Sequence, residues 1–168
     1  MALVRYTLLV PEQDHSFLLQ RVQPAMVGLI DGSLATLAPI FAVALATRKP
    51  HYAFIAGLAS AIAAGVSMAY SEGLSDTGEL TGRGTPFMRG VITGAGTFIG
   101  GFLHTLPFLI PHYHAALVCA VVVVAFEMVG LAWIRWRFFR AGFASSLGWI
   151  VLAATVIVVI SGALGSAA

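Results

Sequence analysis

Five apolar runs, each about 20 residues long and so matched to the hydrocarbon thickness of a bilayer, alternate with short polar breaks along this chain. The runs cover residues 24–46, 52–74, 86–110, 114–134 and 147–164. Thr47-Arg-Lys-Pro-His51 reads as a tight turn, and Pro111-His-Tyr113 as a shorter one. Between the second and third runs, Ser75 to Thr85 is a polar loop punctuated by Gly78, Gly82 and Gly84. The fourth run ends in the basic, aromatic Arg135-Trp-Arg-Phe-Phe-Arg140. Ahead of the first, Glu12, Asp14, His15 and Arg21 are mixed with Phe17, Leu18, Leu19 and Val22. That mixture predicts a short amphipathic helix on the membrane surface. The pattern therefore predicts an all-α integral membrane protein. It has a short cytoplasmic or interfacial segment (1–23) and a transmembrane domain of five helices (24–165). No internal repeat is evident, and an odd number of spans argues against a simple inverted duplication.

Composition agrees with the pattern. The chain is 59% hydrophobic and only 10% charged, against about 25% charged in ordinary soluble domains. Its nine basic residues set an orientation. Arg5, Arg21, Arg83, Arg89, Arg135, Arg137 and Arg140 fall on one side of the expected topology, and only Arg48 and Lys49 on the other. The positive-inside rule then places the N-terminus in the cytoplasm and the C-terminus outside. Trp133, Trp136, Phe138 and Phe139 form an interfacial anchor at the cytoplasmic end of the fourth span. Basic residues at helix ends rather than on one face give no reason to expect a nucleic-acid partner. A single cysteine, Cys119, rules out an intrachain disulfide. Thr7 to Pro11 is too short for a signal-peptide core, so the first span is expected to act as its own insertion signal.

Small residues recur at helix-packing spacing, at Gly57, Ala61 and Gly65 in the second span and at Gly90, Gly94, Gly96 and Gly100 in the third. They predict close helix contacts and say nothing about substrate.

Chemistry enters with the acids. Asp31 lies well inside the first span, between Gly28 and Gly32 and two turns before Pro39. A carboxylate at the centre of a membrane helix costs about 2.5–3.5 kcal/mol on insertion scales. It is either neutralised in a helix bundle or part of a cation or proton site. In the second span Met68 and Glu72 are spaced to stack on one helical face. A thioether beside a carboxylate suits borderline Fe²⁺ or Mn²⁺ better than Mg²⁺ or Ca²⁺. Taken singly, Met68 is a gap filler and Glu72 a snorkelling acid. Facing Asp31, the pair predicts a metal site.

Glu127, in the fourth span, is expected either to pair with Arg135 or Arg137 or to carry protons. His104 is the one histidine within a span. It reads as a packing residue or a member of a proton relay. With His112 and His114 it could instead hold a metal at an exit, or two histidines could clamp a haem. Asp76 and Glu79 could gather cations at a cytoplasmic entrance, or simply be solvated. No Ser-His-Asp set, phosphate loop or CxxC is present, so no enzyme is expected.

Two stretches together, Gly28-Leu-Ile-Asp-Gly-Ser-Leu-Ala-Thr-Leu-Ala-Pro39 and Ser67-Met-Ala-Tyr-Ser-Glu-Gly-Leu-Ser75, resemble the vacuolar iron transporter family. Three more look like the membrane half of bacterial membrane-bound ferritin: Leu19-Gln-Arg-Val-Gln-Pro24, Leu74-Ser-Asp-Thr-Gly-Glu-Leu-Thr-Gly-Arg-Gly84 and Gly100-Gly-Phe-Leu-His-Thr-Leu-Pro107. The resemblance covers residues 19–165. It implies a five-helix homodimer in the bacterial cell membrane, with a pathway at the dimer interface near the first span. It further implies export of Fe²⁺ or Mn²⁺, as transported substrate rather than cofactor, in exchange for protons. Asp31 and Met68 fall on the family's transport positions, and Glu72 on the acid that follows the methionine. The chain departs from the vacuolar relatives in lacking their acid-rich cytoplasmic insert between the second and third spans. It departs from membrane-bound ferritin in having only residues 1–23 where a di-iron domain would stand. Ser60 replaces an acid that some relatives carry. Metal would then arrive as the free ion or from a separate ferritin-like protein. Two alternatives to an antiporter stay open: a passive metal channel, and a membrane docking subunit for such a protein that moves nothing.

Overall fold

The computed structural model describes residues 12–75, 77–79 and 81–167, and all regular structure among them is helical. Helix α1 (Glu12–Phe17) passes through one π turn (Leu18–Val22) into α2 (Gln23–Ala35), and α3 (Leu37–Thr47) continues beyond Thr36. The result is one 33-residue helical rod from His15 to Thr47. Residues 12–23 are thus continuous with the first long helix, not a separate surface helix as expected. The remainder of that expectation, residues 1–11, lies outside the described residues. The reason is local. Nothing between Glu12 and Gln23 breaks a helix, and the π turn absorbs the N–H missing at Pro24, since the Gln23 N–H reaches back to the Leu18 carbonyl.

Pro39 acts one turn earlier than its own position, because a proline ring collides with the carbonyl four residues before it. The rod yields at Thr36 (φ −84°, ψ −15°). There the backbone bond from Thr36 N to the Gly32 carbonyl stretches to 3.4 Å. The Thr36 hydroxyl donates to the same carbonyl at 2.9 Å.

Arg48, in the left-handed region at φ 53°, turns the chain into α4 (Pro50–Ser75). The loop that follows turns on Gly78, Gly82 and Gly84, all at positive φ. Next come α5 (Pro86–Leu103), a 3₁₀ turn (Leu106–Leu109), α6 (Tyr113–Phe139) and α7 (Phe143–Ser166). The helix expected to reach residue 110 stops at Leu103, four residues before Pro107, where the proline ring would clash. Among the described residues, four helices are long and apolar enough to cross a membrane: His15–Thr47, Pro50–Ser75, Tyr113–Phe139 and Phe143–Ser166. α5 is not among them. It is 18 residues long, rich in glycine and threonine, and carries Arg89 in its first turn.

Its composition suits its position, packed against both α2 and α4. A Cβ at Gly28 or Gly32 of α2 would run into the Thr93 or Thr97 carbonyl of α5. A Cβ at Gly90 would sit 2.5 Å from the Ala69 carbonyl of α4, and one at Gly94 2.6 Å from that of Gly65. The three helices meet backbone to backbone, as the small-residue spacing predicted. A second, apolar layer carries the core. Leu37, Ile40 and Phe41 of α3 pack with Phe108, with Met128 and Leu131 of α6, and with Ile150 of α7.

Candidate metal and proton sites

Asp31 is half-buried on α2. One turn on either side of it on the same face, Val27 and Ala35 are exposed. The glycines beside it point elsewhere, into α5. Among the described residues the Asp31 carboxylate makes no hydrogen bond or ion pair.

Met68 and Glu72 do share a half-buried stripe of α4, with Ser60 and Ala64. Within one chain, however, Glu72 is not a free ligand for a metal, because two arginines engage it. Arg83 and Arg89 both hold its Oε1, Arg89 through Nε at 2.8 Å. Arg89 also donates from Nη2 to the Glu72 carbonyl at 2.9 Å and to Ser75 Oγ at 3.1 Å. Its side chain is fully buried. The guanidinium thus satisfies a carbonyl left open at the end of α4 and opposes the negative end of its dipole. The glycine loop delivers Arg83, and Gln20 pins that loop by donating to the Gly82 carbonyl at 3.1 Å. A cavity of about 210 Å³ lies here, lined by Gln20, Arg21, Arg83, Gly84, Thr85, Met88 and Arg89. Glu79 is exposed on the loop, and Asp76 lies outside the described residues.

Sequence reasoning counted Arg89 only toward orientation. A signal for its partner was there: an arginine inside an apolar run is as costly as an acid and needs a counter-charge.

A second polar cluster lies between the two layers. His104, at the end of α5, is fully buried. Its Nδ1 is 2.8 Å from Glu127 Oε2 on α6, and its Nε2 is 2.7 Å from Thr36 Oγ1 at the break in the first helix. Glu127 therefore does not pair with Arg135 or Arg137 as one expectation had it. Arg135 lies about two turns away and donates from Nε to Ser146 Oγ at 3.2 Å. The Glu127 side chain is 9% exposed, and its other oxygen, Oε1, is buried without a hydrogen-bond partner. His112 and His114 are exposed, so the three histidines do not gather around one point. No group of three or more His, Cys, Asp or Glu side chains converges as a metal site among the described residues.

Three separate arrangements result: an acid without a partner among the described residues, an acid held by two arginines, and a buried carboxyl–imidazole–hydroxyl chain. No protein-family model, curated protein or solved structure matches this chain.

Proposed function

We propose that the chain exports Fe²⁺ or Mn²⁺ from the bacterial cytoplasm in exchange for protons, through a pathway at the interface of a homodimer. The observation that carries this reading is Asp31. An acid in the middle of a membrane-length helix, on a stripe flanked by exposed residues and without a partner among the described residues, is too costly to keep unless a further group pairs with it. A cation shared with a second copy of the chain is the simplest partner. Two copies of Asp31 and of Met68 would give four ligands, with carboxylate and thioether donors suited to a borderline divalent ion. The resemblance to the vacuolar iron transporters supports the same assignment.

In this reading α5 is the fifth span. Its Arg89 and polar threonines are tolerated because α2 and α4 cover it. The N-terminus is cytoplasmic, by the distribution of basic residues. Glu72 sits at the cytoplasmic end and becomes available to an ion only when Arg83 and Arg89 release it. Moving a divalent cation out against an inside-negative potential of about 100 mV costs about 4.6 kcal/mol. Exchange for two protons cancels that electrical work.

The test is metal-driven proton flux in liposomes holding the purified protein, comparing Fe²⁺, Mn²⁺ and Mg²⁺. Flux with Fe²⁺ or Mn²⁺ but not Mg²⁺, lost in Asp31→Asn and in Met68→Ala, is the expected outcome. Metal entry without proton movement would replace the exchanger with a channel. No metal movement by folded dimer would remove transport altogether and leave the docking subunit.

A further inference from the structure

We infer that Thr36, His104 and Glu127 form a proton-binding site that reports its state to the carbonyl of Gly32, next to Asp31. The inference follows from counting hydrogens. Thr36 has one hydroxyl proton and three acceptors in reach: His104 Nε2 at 2.7 Å, the Gly32 carbonyl at 2.9 Å and, at the limit of a hydrogen bond, the Gly101 carbonyl at 3.5 Å, which leaves the first two as its close claimants. If the hydroxyl donates to Gly32, its oxygen must accept from His104, so Nε2 carries a proton. The 2.8 Å contact between Nδ1 and Glu127 Oε2 then requires one further proton between those two atoms. In this acid form the histidine and glutamate together are neutral overall.

The base form has one proton fewer. Nδ1–H donates to a Glu127 carboxylate, Nε2 is a bare lone pair, and the Thr36 hydroxyl turns to donate to it. The acid form becomes the base form plus one proton released to water, and no electrons move. In the base form the Gly32 carbonyl keeps only the stretched backbone bond of 3.4 Å. A proton gained or lost between α5 and α6 thus weakens or restores a hydrogen bond at the break in the first helix, one residue from Asp31. The unpartnered Glu127 Oε1 leaves the carboxyl free to hold its proton in either place without breaking another bond.

Among the described residues no other ionisable side chain is bonded to His104 or Glu127; Tyr113, His114 and Arg137 lie toward the ends of α6. α3 and α7 have no ionisable side chain. α2 brings Asp31, off the face that meets α5. On α4 the residues against this layer are Gly57 and Ala61, which meet Thr105 and Gly101; His51, Tyr52, Tyr70 and Glu72 lie toward its ends. Arg89 of α5 is held by Glu72. On α6, Arg135 is bonded to Ser146 and Cys119 is exposed.

A role in exchange rests on the transport reading above; the proton site itself does not, and is tested without metal. His15, His51, His112 and His114 are all exposed. Replacing these four by Gln in the full chain leaves His104 as the sole source of imidazole ¹⁵N signal. The ring proton is expected to move from Nε2 to Nδ1 as the pair gives up its proton to a basic medium. Glu127→Gln, whose amide can neither take up nor release the shared proton, should hold His104 in one tautomer throughout. A His104 tautomer that stays constant in the wild-type pair, or a shift that persists in Glu127→Gln, overturns the inference. In liposomes, Glu127→Gln should release one proton fewer per metal ion than the unaltered chain, and an unchanged ratio overturns the coupling. If the unaltered chain moves no metal, the transport reading fails while the tautomer result stands or falls on its own.

Discussion

Arg89 and Glu72 bind each other twice: Arg89 Nε lies 2.8 Å from the Glu72 carboxylate and Nη2 2.9 Å from the Glu72 carbonyl. One guanidinium thereby neutralises an acid and finishes the helix that carries it. Removing Arg89 alone leaves a mostly buried carboxylate to Arg83 and opens the carbonyl at the end of α4; breaking one partner of a buried pair costs at most about 3–5 kcal/mol. Arg89→Met should therefore lower the melting temperature in detergent sharply. Arg89→Met with Glu72→Met should recover only part of the loss, because Arg83 then loses its contact with that carboxylate.

Asp31 predicts the opposite. With no bond to lose among the described residues, Asp31→Asn should leave thermal stability unchanged or raise it. The same measurement on Glu72→Gln should show a fall. Comparable losses from both substitutions would mean that Asp31 has a structural partner within its own chain.

The glycine seam gives a third expectation. At Gly32 a methyl group would enter the Thr97 backbone, which has no room to withdraw; at Gly130 and Gly148 a Cβ meets nothing within 4 Å. Gly32→Ala should abolish recovery of monodisperse protein. Gly130→Ala and Gly148→Ala should each be neutral or add about 0.4–1 kcal/mol, since alanine restricts the unfolded chain more than glycine does.

Topology can be read by labelling single cysteines in a Cys119→Ser background with a charged maleimide. If α5 crosses the membrane, Lys49→Cys and His112→Cys label from one side and Thr77→Cys from the other. His112→Cys labelling with Thr77→Cys would leave four crossings.

The helices α4, α6 and α7 were readable because uninterrupted apolar runs leave a chain little choice in a bilayer. The close packing of Gly57, Ala61 and Gly65 followed from spacing alone. α5 was harder. Its glycines and threonines dilute the apolar signal because the helix meets backbone on two sides, and Pro107 stops it early. The partner of Glu72 was hidden for another reason. Arg83 and Arg89 reach it across a loop whose path depends on three glycines at positive φ, a geometry that sequence spacing does not encode. His104 and Glu127 were both singled out for proton chemistry, yet nothing in two helices joined by a 3₁₀ turn says that the side chains meet. The direction Asp31 faces was likewise unread, since its neighbouring glycines suggested a crowded face and they crowd a different one.

The glycine seam also has a mechanical consequence. Interlocking side chains would fix how far one helix is shifted lengthwise against the next; bare backbone against bare backbone offers few such teeth. The axial position of α5 therefore depends on fasteners at its two ends, Arg89 to Glu72 at one and His104 to Thr36 at the other. Undoing either would let α5 slide between α2 and α4 by fractions of a residue without parting from them.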